Sequence, residues 1–230
     1  LSVLNNLKNE IIFSSKQKKT KVIIISSNGP GFSAGHDLDE LKQNQNDKNF
    51  FLDLFNECSD LMQKIITITQ PVIAEVPGVA AAAGCQLVAT CDLAIASEKA
   101  TFITPGVNIG LFCSTPMVAV SRNIGRKKMM EMLLTGESLD ARDAVQFGLI
   151  NKYVPHNDLA KSTLEMAKLI SSKPKSTVKI GKEAYYNQAE LPIKEAYKYT
   201  SEVMALNMLE EDAKEGIEAF LAKRNPKWFS

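Results

Sequence analysis

Residues 77–92 read Pro-Gly-Val-Ala-Ala-Ala-Ala-Gly-Cys-Gln-Leu-Val-Ala-Thr-Cys-Asp. Pro77-Gly78 ends a short apolar run, Pro71 to Val76, whose length and composition are those of a buried strand. Ala80 to Ala89 is small and helix-favouring, and after Asp92 a second apolar run, Leu93 to Ala96, reads as another strand. A helix between two closely spaced strands implies a parallel pair joined by a crossover.

The same alternation extends outward. Val22 to Ile25 is a β-branched run ended by Asn28-Gly29-Pro30, and so a further buried strand. Phe51, Leu54, Phe55, Cys58, Leu61, Met62 and Ile65 recur at helical spacing, which predicts a helix over Phe50 to Ile68, closed by Thr69-Gln70-Pro71. Thr101 to Ile103 is one more short strand. The order strand, helix, strand, helix, strand predicts an α/β fold with a parallel sheet.

Beyond Pro116 helices dominate: Met117 to Asn123, Lys127 to Leu134, and Asp140 to Phe147. Asp140 reads as an N-cap and Gly148 as the matching C-terminal signal. A short strand, Leu149 to Val154, is followed by helices over Asp158 to Ser171, Pro174 to Gln188, Pro192 to Leu206 and Glu210 to Ala222. The last of these carry tyrosines and mixed charges suited to docking on another subunit.

Composition excludes several function classes. Hydrophobic residues make up 45% of 230 positions, enough for one sizeable core. The net charge of +1 gives no general pull towards nucleic acid or an anionic membrane, so an anionic ligand must be met by a few placed cations. No apolar run approaches the roughly 20 residues of a spanning helix. Cys58, Cys85, Cys91 and Cys113 lack metal or redox spacing and read as reduced, buried thiols. With only two histidines, zinc chemistry is not indicated. No phosphate-binding Gly-x-x-x-x-Gly-Lys-Ser/Thr occurs.

A small-residue loop entering a helix lets backbone N–H groups approach a ligand. Ala80 to Gly84 has that form, and Phe32-Ser33-Ala34-Gly35-His36-Asp37 follows another strand and turn. Two such loops can aim two N–H donors at one oxygen, which is an oxyanion hole.

In these residues the chain resembles the enoyl-CoA hydratase/isomerase (crotonase) superfamily. The resemblance runs from about Val22 to Trp228, carried by Phe32 to Leu38, Pro77 to Asp92, Thr135-Gly136-Glu137, Ala144 to Val154 and Glu215 to Arg224. The run Gly106 to Pro116 is most like one branch of it. The resemblance implies a crotonase-like spiral of ββα units over residues 1–154, holding the acyl-CoA site. It also implies a C-terminal helical region, residues 155–230, for trimerisation and CoA binding. Sequence upstream of Leu1, including N-terminal strands, is expected to be missing, so no targeting segment is judged.

By the same resemblance the oxyanion donors are the backbone amides of His36 and Ala83. Ala34 lies beside the adenine, while Phe220 and Lys223 reach a neighbouring subunit's CoA site. An acyl-CoA or enoyl-CoA is the substrate, with no separate cofactor and no metal, and homotrimers or hexamers are the assembly. Lyase or isomerase chemistry in fatty-acid and lipid metabolism follows, in a bacterial cytoplasm or a mitochondrial matrix.

One departure sets this chain apart. Hydratases of the superfamily place and activate water with two glutamates, at the positions held here by Gln86 and Gly106. An amide cannot take a proton at neutral pH, and glycine offers only backbone. Acid–base groups of this kind typically contribute about 100- to 10,000-fold, so hydration is expected to be low or absent. Candidate replacement groups are the His36 imidazole, although the resemblance uses that residue's backbone, and Cys113 and Ser114, with Cys113 more simply a buried thiol. Asp37 and Asp92 read as capping or loop-fixing carboxylates, and Asp39 and Glu40 as first-turn charges. Two functions therefore stand side by side: an enzyme that stabilises a thioester enolate, and a non-catalytic acyl-CoA binder or assembly partner.

Overall fold

A computed structural model describes all residues, 1–230. The helices are α1 Ser2–Lys16, α2 Leu38–Gln43, α3 Lys48–Thr67, α4 Ala83–Thr90, α5 Pro116–Val120, α6 Arg126–Thr135, α7 Ala141–Phe147, α8 Leu159–Ser171, α9 Lys175–Ala189, α10 Ile193–Asn207 and α11 Glu211–Leu221. The strands are β1 Ile23–Ile25, β2 Val72–Val76, β3 Ala80–Ala81, β4 Leu93–Ser97, β5 Thr101–Ile103, β6 Ser138–Asp140 and β7 Lys152–Val154. Single 3₁₀ turns occupy Pro105–Ile109 and His156–Asp158.

Two sheets share the strands. The first runs β1-β2-β4-β7, all parallel, with Ile73 opposite Leu93 and Ile95 opposite Lys152. The second runs β3-β5-β6, parallel then antiparallel, and Ser33 extends it by a bridge to Ala80. From β2 the chain steps to β3, then α4. From β4 it steps to β5, then to α5 and α6. Each turn places one strand in each sheet and then a helix, which is the expected spiral of ββα units.

Burial explains the strand composition. Val72, Ile73, Ala74 and Val76 are buried, as are Ala94, Ile95 and Ala96, because both faces of a parallel sheet are covered. Leu54, Cys58, Leu61, Met62 and Ile65 form the inner stripe of α3. Asp140 caps α7 through a bond from the Asp143 amide at 2.8 Å, and Gly148 ends it at φ +86°. Both end signals act as read.

Several elements differ from expectation. Ala80 and Ala81 are a strand, with the helix starting only at Ala83, because their backbone groups pair with Phe102 and Ile103. Tertiary pairing overrides alanine's helix propensity there. Only Lys152–Val154 of the expected Leu149–Val154 strand is extended. Helix α1 and strand β6 were not anticipated, and of α2 only its cap and first-turn charges were read. Phe55, counted in the apolar stripe, is 37% exposed and instead packs edge-on against the His36 ring at 5.5 Å.

The C-terminal helices lie outside the core, and α9 has no fully buried residue. A polar seam fastens α9: Lys182 Nζ donates to the Ile65 and Gln70 carbonyls at 2.8 and 2.9 Å and to Asp92 Oδ2 at 2.7 Å. Asp92 also accepts from the Val72 amide at 2.7 Å and the Tyr186 hydroxyl at 2.9 Å. The loop-fixing role read for Asp92 is thus its observed one.

Candidate functional site

The loop after β1 is laid against β3. Both the Phe32 and Ser33 amides donate to the Val79 carbonyl, at 2.8 and 3.1 Å, and the Ala81 amide donates to the Ser33 carbonyl at 2.8 Å. The contact is so close that a Cβ at Gly84 would lie 2.5 Å from the Ser33 carbonyl oxygen, so only glycine fits there. Gly35 has φ +92°, and a Cβ on it would come within 3.1 Å of both the Ala81 oxygen and the Ala82 methyl. Glycine is required at Gly35 for both reasons.

Ala82 has φ +49° and ψ −114°, a region that L-residues avoid. Its amide is held by the Ile103 carbonyl at 2.9 Å. Such a backbone costs about 1–3 kcal/mol and persists only where surroundings impose it. Each of the two expected donors therefore follows a positive-φ residue: His36 after Gly35, Ala83 after Ala82. Neither the His36 amide nor the Ala83 amide donates to a backbone carbonyl.

His36 and Ala83 line one cavity of about 470 Å³, together with Ser33 and Gly35 and the apolar side chains of Leu61, Met62 and Leu87. Leu4 and Leu7 of α1 and the polar Asp37, Asp39 and Glu40 complete much of the wall. Asp37 Oδ1 accepts from the Asp39 and Glu40 amides at 2.9 and 3.4 Å, the N-cap arrangement read from sequence.

The other candidates are dispersed. Ala34 is exposed on the loop and does not line the cavity. Gln86, one turn beyond Ala83, is 4% exposed and sits behind the lining. Its Oε1 faces Cys58 Sγ at 3.8 Å. Gly106 is buried in the 3₁₀ turn, with its amide directed at Cys113 Sγ, 3.4 Å away. Phe220, 84% exposed, and Lys223 stand at the end of α11, away from the cavity of their own chain. Lys223 has φ +53°, and the next residue, Arg224, grips Glu215 through two bonds of 2.6 and 2.9 Å.

Burial favours the neutral forms of the His36 imidazole and of the thiols near the site. It lowers the pKa of the His36 imidazole. It raises the Cys58 thiol to about 11 and the Cys85 thiol to about 12, and it raises Cys113 as well, against the opposing Gly106 N–H. Cys113 has neither the thiolate stabilisation nor the adjacent base that a nucleophile requires. Ser114 Oγ donates to the Phe112 carbonyl at 3.4 Å and is not paired with a base. No group of three or more His, Cys, Asp or Glu side chains is arranged to hold a metal.

Three participants escape sequence reasoning: Phe55 beneath His36, Cys58 against Gln86, and the strained Ala82. The first two are contacts between distant segments. The third has no local signature, since alanine gives no sign of the φ it is forced to adopt.

The sequence model of the enoyl-CoA hydratase/isomerase family matches residues 4–230. The mouse enoyl-CoA hydratase domain-containing protein 3, mitochondrial, is 46% identical over 228 residues, which span 99% of this chain and 76% of the mouse protein. The crystal structure of the human protein of that name superposes with a TM-score of 0.95 at 46% identity, covering 99% of this chain and 89% of that one. An enoyl-CoA hydratase from Mycobacterium smegmatis also gives 0.95, at 42% identity, with 99% and 88% covered.

Proposed function

Because this chain belongs to the enoyl-CoA hydratase/isomerase family, we propose that it binds an acyl-CoA or enoyl-CoA. In this reading the thioester oxygen sits between the backbone amides of His36 and Ala83. The observation that carries it is the pair of amides on one cavity wall, each after a positive-φ residue and each without a backbone acceptor. Donors fixed in advance and aimed where charge develops lower the barrier to an enolate.

The chemistry that follows needs only that enolate: isomerisation, decarboxylation or slow thioester hydrolysis. Hydration of an enoyl group is minimal in this reading. Gln86 cannot take a proton, and Gly106 has no side chain. The test pairs two assays on the purified protein. Loss of enoyl absorbance from crotonyl-CoA reads hydration, and deuterium exchange at the acyl Cα reads enolate formation. Exchange with negligible hydration supports the proposal. Hydration at the usual enzyme rates of about 1–1,000 per second overturns it, since another group must then supply the base.

The missing carboxylate pair at Gln86 and Gly106, where buried thiols are the neighbours, also favours a second reading: an acyl-CoA binder or assembly partner without turnover. An acyl-CoA panel followed by product mass, run beside thermal-shift binding, separates the two. Stabilisation with no product from any member selects the second.

We further propose a homotrimer or hexamer. Tyr197, Met204, Leu206 and Leu209 of α10 and its end, with Phe220 and Leu221 of α11, are exposed apolar side chains in one chain. Lys223 then supplies a cation to a neighbour's CoA, with Ala34 beside the adenine. Losing that contact in Lys223→Ala weakens CoA binding by about 1.5–3 kcal/mol, and a monomer by light scattering refutes the assembly. The names of the vertebrate relatives favour a mitochondrial setting.

A further inference from the structure

Glycine at position 106 is not there for its backbone freedom. Gly106 lies in the 3₁₀ turn and is not among the glycines with positive φ, which are Gly35, Gly110, Gly136 and Gly148. An L-residue is therefore allowed by its own dihedrals. Space is what it lacks. A Cβ there would meet Cys113 Sγ and the Leu111 carbonyl oxygen at 3.0 Å each, and the Cys113 amide at 3.4 Å.

The two closest neighbours differ in kind: one is backbone, and the other is a side chain that substitution can remove. Leu111 contributes a backbone oxygen, and its amide donates to the Gly106 carbonyl at 2.9 Å, so this crowding stays whatever side chain stands at position 113. Cys113 is 8% exposed, and its sulfur accepts from the Gly106 amide at 3.4 Å. The wholly buried Cys85 lies within electrostatic reach of it. A packed interior of this kind has few empty places for a displaced sulfur.

We infer that Cys113 is a specificity-determining residue of the thioester site: its thiol fills the volume that a side chain at position 106 needs and keeps a second proton-transfer group out. The inference rests on the reading of Gly106 as the place of the second hydratase glutamate. Gln86 meets a comparable neighbour, since its Oε1 faces the buried Cys58 sulfur at 3.8 Å. A neutral sulfur thus abuts each position where a hydratase holds a carboxylate. The loss of hydration is built into the packing around the site as well as into positions 86 and 106. Restoring two glutamates without removing the thiol does not restore the reaction.

A thermal-unfolding cycle of Gly106→Ala, Cys113→Ala and the double variant reads the packing without reference to activity. Gly106→Ala lowers Tm by about 4 °C or more, and Cys113→Ala in the same chain recovers more than half of that loss. Additive shifts overturn the inference. Hydration of crotonyl-CoA is then compared between Gln86→Glu/Gly106→Glu and the same chain carrying Cys113→Ala. The expected gain on removing the thiol is about 100-fold, within the usual range for an acid–base group. Equal, measurable rates in the two variants overturn the specificity role. A strong thermal coupling with no hydration in either variant overturns the reading of position 106, and the specificity role with it, while leaving the packing intact.

Discussion

Lys182 Nζ lies 2.7 Å from Asp92 Oδ2, with the two side chains only 6% and 15% exposed, and this pair joins α9 to the start of β4. Burial lowers the lysine pKa while Asp92 raises it, so the carboxylate is what keeps the ammonium charged. Truncation to Lys182→Met takes the cation from Asp92, which keeps only its neutral donors Val72 and Tyr186, and takes the lysine donor from the Ile65 and Gln70 carbonyls. Breaking one side of such a pair costs about 3–5 kcal/mol. Urea unfolding should show that loss, and Lys182→Met with Asp92→Asn should recover part of it. A loss under 1 kcal/mol would mean that water enters the seam and takes the lysine's place.

Ala82 stores strain that glycine does not feel. Relief of the positive φ gains about 1–3 kcal/mol, offset by about 0.5–1 kcal/mol of extra chain entropy for glycine. Ala82→Gly is therefore expected to stabilise the fold by about 1 kcal/mol. Denaturant midpoints at constant slope measure it, and a destabilised variant would contradict the strain.

Gly35→Ala runs the other way. The new methyl must enter a positive-φ residue and crowd the Ala81 oxygen and Ala82 methyl at 3.1 Å. A stability loss of about 1–3 kcal/mol is expected. Acyl-CoA affinity measured by titration calorimetry should fall as well, because the displaced amide is that of His36. Unchanged affinity in a folded variant would detach His36 from the ligand.

His36 links stability to pH. Burial lowers its pKa in the fold, so the unfolded chain binds the proton more tightly. Stability therefore declines as pH falls below the ordinary histidine value of about 6.5, until the lowered pKa is passed, after which the penalty is constant. His36→Gln should flatten this slope. Denaturation between pH 7.5 and 5 tests it, and parallel curves for the two proteins would show that His36 does not contribute.

Much of the architecture was legible in single residues. Asp140 and Gly148 marked both ends of α7, and the spacing from Leu54 to Ile65 marked the inner stripe of α3. Leu4, Leu7 and Ile11 carry α1's spacing just as openly, although that helix was not among the expected elements. The split of Ala80 to Ala89 was not legible. Four alanines favour a helix locally, and only pairing with Phe102 and Ile103 pulls two of them into a strand. At the site, His36 and Ala83 line one cavity. The sulfur beside each vacant carboxylate position was out of reach, because Cys58 lies 28 positions from Gln86 and seven separate Cys113 from Gly106. Only folding brings such pairs together.

The bridge between Ser33 and Ala80 acts as a ruler. These residues face each other on adjacent strands, which lie about 4.8 Å apart. Three positions on from Ser33 comes His36, and three on from Ala80 comes Ala83. Two donors leaving neighbouring strands at equal offsets are kept close together, as the proposed oxyanion hole requires. The gap is thus set by the bridge together with the positive-φ residues Gly35 and Ala82 that precede the two donors. Substitutions that leave Gly35 and Gly84 in place can keep that gauge. Adding or deleting a single residue between the bridge and either donor cannot.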